Sequence, residues 1–313
     1  MEIATRDAYG KALIKLGKIN PNIVVLDADL SKSTKTADFA KEFPERFFNM
    51  GIAEANMIGT AAGLATCGKI PFASTFAVFA TGRVFDQIRM SICYSRTNVK
   101  ICATHGGISV GEDGPSHQSI EDIALMRVLP NMTVIVPADG IETEKAVFAA
   151  ASYNGPVYLR MGRSKIPVIF DEKYQFEIGK GNILNEGSDV SIIACGSMVQ
   201  ESLEAGKELL KKGIKARVVN MPTIKPIDED LIIRCAEDTG AIVTCEEHNI
   251  IGGLGSAVAE VTGEKCPVPI KRIGINDKFA ESGSPKELFE KYKLSAKYIF
   301  EAVQEIMEMK KQK

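Results

Sequence analysis

The stretch "NVKICATHGGISVGEDGPSHQ", residues 98–118, decides how the rest of the chain is read. Its first six residues form a short apolar run that fits a buried strand, and the remaining fifteen are polar and rich in glycine. Two of the chain's three histidines, His105 and His117, stand in that loop with Glu112 and Asp113 between them. Glycines let a backbone adopt positive φ and approach a ligand closely, and few core functions explain so many polar groups after a buried strand. In open parallel sheets ligands lie outside the carboxyl ends of the strands, so this loop is a candidate small-molecule site.

Outward from this stretch the same pattern repeats. Short apolar runs at 22–27 ("NIVVLD"), 69–74 ("KIPFAS"), 132–137 ("MTVIVP") and 156–161 ("PVYLRM") alternate with helical patterns at 5–17, 53–66, 82–95 and 140–152. A second series places strands at 189–196, 214–220, 241–247 and 268–274, with helices near 197–212, 228–238, 253–262 and 295–309. The alternation predicts an α/β protein of two domains, each a mainly parallel sheet flanked by helices. The expected bounds are 1–165 and 188–313, with 166–187, which mixes prolines, glycines and charges, as a linker. The basic end "MKKQK" (309–313) reads as a frayed terminus.

Bulk properties narrow the function. The 313 residues are 45% hydrophobic and 25% charged, with a formal net charge of −2. That balance lacks the basic excess that nucleic acid or an anionic membrane would need. With no long apolar run and no signal-like start, a cytoplasmic protein is expected. The seven cysteines are scattered without a C-x-x-C pair, which suggests neither a disulfide framework nor a zinc site.

Other loops add chemistry. "DADLSKST" (27–34) brings Asp29 and Ser33, and "RMGRSK" (160–165) brings Arg163. Arg163 with Ser33 could grip a phosphate through charge-assisted hydrogen bonds, although a lone arginine after a strand is more often in a surface ion pair. Metal binding competes for the histidine loop, but the spacing of His105 and His117 matches no common motif. "STFAVFATG" (74–82) sets Phe76 and Phe79 one helical turn apart, a pairing more often core than stacking platform. In "GIAEANMIGTAAGLA" (51–65), Glu54 heads the apolar stripe Met57, Ile58, Ala61, Ala62 and Ala65. It either complements the helix dipole or is a sheltered carboxyl with a raised pKa, placed to share a proton. The chain has no G-x-x-x-x-G-K-[ST], no G-x-G-x-x-G and no GDG followed by a distant Asn.

With "GIAEANM", "FASTFAVFATGRVFDQIRM" (72–90), "THGGISVGEDGPSHQSIEDIALMRVLPN" (104–131), "MPTIKPID" (221–228) and "EEHNIIGGLGSAVAE" (246–260) together, the chain resembles the C-terminal half of transketolase. The resemblance covers essentially the whole chain and joins a pyrimidine-binding domain to a C-terminal domain. It implies a thiamine diphosphate enzyme of the pentose phosphate pathway that moves a two-carbon ketol unit from a ketose phosphate to an aldose phosphate. It further implies that Glu54 hydrogen-bonds N1′ of the cofactor's aminopyrimidine, that Phe79 stacks on that ring, that Phe76 lines the pocket and that Asp29 lies nearby. Asp113 and His117 would bind the donor's hydroxyls and carbonyl oxygen, with His117 also catalytic, while His105, Arg163 and Ser33 would anchor the distal phosphate. Gly82 and Arg83 stand where many members carry a further aromatic residue.

In this family the missing GDG…N motif belongs to the half that holds the diphosphate and Mg²⁺ or Ca²⁺, so no metal ligand is expected in this chain. The expected partner is a polypeptide of about 270 residues, forming with it an α2β2 heterotetramer or resting on a dimer, with sites at subunit interfaces. Two alternatives are a related enzyme acting on pyruvate, such as a 2-oxoacid dehydrogenase β subunit or deoxyxylulose-phosphate synthase half, and a non-catalytic binding module.

Overall fold

The computed structural model describes residues 1–311, so the last two residues of the "MKKQK" end lie outside the described residues. The strands are β1 Glu2–Ala4, β2 Ile23–Asp27, β3 Phe47–Asn49, β4 Ile70–Phe76, β5 Lys100–Thr104, β6 Thr133–Ile135 and β7 Val157–Arg160. They continue as β8 Lys165–Pro167, β9 Asn182–Asn185, β10 Val190–Ala194, β11 Ala216–Asn220, β12 Thr223–Lys225, β13 Ile242–Asn249 and β14 Ile270–Ile275. One sheet has the order β12-β6-β7-β5-β4-β2-β3 and a second the order β14-β13-β10-β11-β9. Both are α/β and parallel except at one edge, where β12 and β9 run antiparallel to their neighbours.

Parallel strands covered on both faces carry unbroken apolar runs, and β2 and β5 are buried at every position. Tyr9, Leu13 and Leu16 from the helix Thr5–Ile19, with Ala146 and Val147 from Gly140–Ser152, cover one face of the first sheet. Met57, Ile58 and Ala61 from Glu54–Thr66 cover the other. This second core continues into the next domain through Ile193, Val219 and Leu254, so the two sheets share one apolar body.

One element departs from its expected form. Residues 82–95 are not one helix: a short helix Ala77–Thr81 is succeeded by a turn at Gly82–Val84, one more helical turn and a π-helix at Ile88–Tyr94. Glycine is a poor helix former, and π-turns often lie beside functional sites.

Within 166–187, read as the connection between the halves, β9 joins the second sheet, and β8, which straddles its start, pairs with β1 at the N-terminus. Conversely, β12 leaves the second half of the chain to extend the first sheet, with Thr223 opposite Ile135. Glu142 ties the same three regions together. Its carboxylate accepts from Ala138 N at 2.6 Å, Tyr174 Oη at 2.6 Å and Asn220 Nδ2 at 2.7 Å.

Burial nonetheless pushes Glu142 from 4.5 up to about 7. The folded chain therefore keeps a proton that the unfolded chain has released, and this contribution to stability is lost as pH rises from 4.5 to about 7. Unfolding free energies from urea titrations across that window should fall, by up to on the order of 3 kcal/mol from this group, and Glu142→Gln should flatten the slope. An unchanged slope in the variant would assign the pH dependence elsewhere.

Candidate active site

The register of the first sheet sets the site. Asp27 lies opposite Ser74, Phe76 opposite Thr104 and Ala103 opposite Arg160, so the loops after β2, β4, β5 and β7 leave from one edge. Asp27 shapes the first loop: its buried carboxylate accepts from Leu30 N, from Thr34 Oγ1 at 2.6 Å and from Thr36 Oγ1 at 2.9 Å. Ser33 then sits so that its carbonyl accepts from Arg6 Nη1 at 3.1 Å.

Arg6 links that loop to the histidine loop. Its Nη1 also donates to His105 Nε2 at 3.2 Å. A guanidinium has no acceptor, so His105 Nε2 must accept, and the ring proton lies on Nδ1, donated to Thr104 Oγ1 at 2.8 Å. Burial, helped by the charges of Arg6 and Arg163, pushes His105 down to about 3, so the imidazole is neutral at physiological pH. Burial lowers Arg6 as well, with Arg163 acting in the same sense. Arg163 in turn reaches the carbonyl of Val110 and lies 3.7 Å from Asp113 and 3.5 Å from Glu112. Two cations near one neutral imidazole form a seat for an anion such as a phosphate.

An aromatic shelf joins this seat to a buried acid. Phe76 stacks on His105 at 3.7 Å and on Phe79 at 5.9 Å, and His117 stands edge-on to Phe79 at 5.6 Å. His117 is held through Nδ1 by Ser116 Oγ at 2.9 Å. Glu54 opens its helix and is only 6% exposed. It does not stand alone, since Arg83 Nη1 donates to its Oε1 at 2.8 Å while the same guanidinium lies 4.0 Å from the centre of the Phe79 ring. Arg83 is half exposed and so has an open side toward which it can withdraw.

The structure thus brings together Glu54, Phe76, Phe79, His105, His117, Asp113, Arg163 and Ser33. Asp29 ends the same strand edge but is exposed, has φ of 63° and exchanges hydrogen bonds with Asn49. Arg6 was missed because an arginine in a first helical turn reads as an ordinary surface charge; only contact with Ser33 and His105 marks it. Arg83 was noticed solely as a departure from pattern. Among the described residues, no group of three or more His, Cys, Asp or Glu side chains is placed to hold a metal ion, and no helix is long and apolar enough to cross a membrane.

The two-domain α/β fold that carries these residues on one sheet edge is a fold that known proteins share. Residues 1–168 match the transketolase pyrimidine-binding domain and 179–299 the transketolase C-terminal domain. The chain is 54% identical over 98% of its length, and 96% of the relative's, to a putative transketolase C-terminal section of Methanocaldococcus jannaschii. It is 45% identical to a 6-deoxy-6-sulfo-D-fructose transketolase subunit of Clostridium sp., over 97% of this chain and 95% of that one. A solved structure described as a split gene transketolase, inactive beta4 tetramer, superposes with a TM-score of 0.93 at 60% identity, covering 98% and 99% of the two chains. The chain belongs to the transketolase family.

Proposed function

We propose that this chain is the C-terminal subunit of a two-part transketolase, transferring a two-carbon ketol unit from a ketose phosphate to an aldose phosphate. The observation that carries the reading is the convergence of Glu54, Phe79, His117, His105 and the Arg6–Arg163 pair on one sheet edge. The description of the solved relative as an inactive tetramer of β chains supports the need for a second polypeptide. That partner, carrying the GDG…N motif, would hold the diphosphate and Mg²⁺ or Ca²⁺.

The residues present fit the aminopyrimidine end of thiamine diphosphate: a buried carboxylate at a helix start faces the space beside an aromatic ring. When bound, the cofactor supplies the electron sink for breaking a ketose C2–C3 bond. Glu54 would hold a proton shared with the pyrimidine N1′, once Arg83 withdraws from the Phe79 face. Phe79 and Phe76 exclude water from that ring. Asp113 and His117 would orient the sugar hydroxyls, and Arg6, Arg163 and Ser33 would hold the distal anion, with His105 accepting from Arg6 and so orienting its guanidinium, so that remote binding positions the reacting carbon. The relative named for a sulfonated sugar accords with a seat for a tetrahedral anion in general.

The test is reconstitution with the partner, thiamine diphosphate and Mg²⁺, with conversion of xylulose 5-phosphate and ribose 5-phosphate as the readout. Carbon dioxide release from pyruvate with sugars untouched would overturn the assignment. Arg6→Met should raise KM for a phosphorylated donor roughly 10–100-fold, the loss of a hydrogen bond to a charged group, and leave a donor without phosphate nearly unaffected. Equal losses on both donors would remove Arg6 from the anion seat.

A further inference from the structure

We infer that Glu247, from the second domain, is a positioning residue that seats the loop bearing His105, Asp113 and His117. The inference rests on the transketolase reading only for its activity measurements.

Glu247 lies on β13, is 4% exposed and crosses the domain boundary. Its Oε1 accepts from the Ser109 backbone N–H at 2.7 Å, and its Oε2 accepts from Ser197 Oγ at 2.7 Å. Ser109 stands four residues after His105, on the ascending limb of the loop. The approach is so close that a Cβ on Gly107 would lie 2.1 Å from Glu247 Oε1, which explains a glycine there with φ of 84°.

The loop's neck is closed by Gly107 N donating to Ser119 O at 2.7 Å. Arg160 spans both: its Nη2 donates to Ser119 O at 3.2 Å and to the Glu247 carbonyl at 3.0 Å. Both limbs of the loop therefore rest on one carboxylate and one guanidinium, and the carboxylate belongs to the other domain.

Its neighbours along the strand cannot replace it. Glu247 borders a cavity of about 400 Å³ between the domains, lined also by Lys165, Ser197 and Phe289. Glu246 and His248 point to the opposite face of the strand, where Glu246 accepts from Leu254 N and Gly255 N at the start of the next helix. They are occupied elsewhere.

The experiment compares Glu247→Ala, Glu247→Asp and Glu247→Gln in the full chain, free and reconstituted with the partner. With three histidines in the sequence, side-chain NMR of the free chain reads the loop directly. In Glu247→Ala and Glu247→Asp the His105 and His117 resonances should shift or broaden while His248 holds, and Glu247→Gln, whose amide oxygen still accepts from Ser109, should restore them. In the reconstituted enzyme kcat/KM should fall on the order of 10²-fold for Glu247→Ala, as a misplaced substrate loop would produce, with KM carrying part of the loss. Thiamine diphosphate affinity should fall far less than kcat/KM, because Glu54 and Phe79 lie outside this loop and meet it only through the edge of His117 and the stacking of His105 on Phe76.

Should Glu247→Ala fail to fold, Glu247→Asp, which keeps the charge and shortens its reach, carries the test. Unmoved His105 and His117 signals in Glu247→Ala or Glu247→Asp, or kinetic losses matched by an equal loss of coenzyme affinity, would overturn the inference. If the reconstituted wild type proves inactive on sugar phosphates, the functional reading falls, while the NMR comparison still decides the role of Glu247.

Discussion

Replacing Glu54 by glutamine is expected to lower the turnover of the reconstituted enzyme on the order of 10²–10⁴-fold, the usual contribution of a positioned proton-transfer group. The amide keeps the size and polarity of the side chain but cannot hold a shared proton. The fold should be indifferent to the change, because the partner of Glu54 is Arg83, which is half exposed and can turn to water without leaving a buried cation behind. Loss of activity with an unchanged urea midpoint is therefore the expected pairing. A Glu54→Gln subunit that supported more than about a tenth of wild-type turnover would contradict a proton-sharing acid, since that leaves far less than general acid–base catalysis supplies.

Asp122→Ala should cost the fold about 3–5 kcal/mol in urea unfolding at neutral pH, the range for breaking a buried ion pair from one side. Asp122 is fully buried, and its Oδ2 accepts from Tyr158 Oη at 2.6 Å and from Arg160 Nε at 2.7 Å. Removing it leaves the Arg160 guanidinium, itself 6% exposed, without the carboxylate that its Nε donates to. Burial by itself would raise the Asp122 carboxyl, but Arg160, aided by His248 and the Tyr158 hydroxyl, outweighs burial and holds it below its ordinary value of 3.8. A depressed acid contributes stability above its unfolded pKa, and the contribution is lost only as pH falls through the folded value. The gap between wild type and variant should thus be full at neutral pH and shrink only in strong acid. A loss under about 1 kcal/mol would mean that water reaches the pair and that it behaves as an exposed one.

Much of the site was legible because its members sit where chemistry is conspicuous. His105, Asp113 and His117 fall in a polar, glycine-rich loop after an apolar strand, and Glu54 heads an apolar stripe; both patterns are local. The central strands of both sheets were legible for the same reason, since a strand buried on two faces announces itself as an unbroken apolar run, whereas the short strands β3, β9 and β12 at the sheet edges were not. The helix expected at 82–95 was not, because its composition is helical and the interruption at Gly82–Val84 depends on what the segment packs against. Arg6, Arg83 and Asp122 carry no local signal, being charged residues in helices or turns where a charge ordinarily faces solvent, while Arg160 and Glu247 stand out as charges in buried strands but nothing local names their partners.

Local periodicity, read along the chain, determined the α/β alternation, the division into two sheets and the polar loop at a strand end, because these depend on which residues can be buried in a strand or helix. Only the tertiary structure decided that β12 crosses to the first sheet, that Arg83 lies between Glu54 and the open face of Phe79, and that a carboxylate of the second domain supports the loop of the first. Each of these joins groups far apart in the chain or sets which way a flexible side chain turns. Such choices are settled by packing and by the need of every buried charge for a partner, and neither is written in the order of residues.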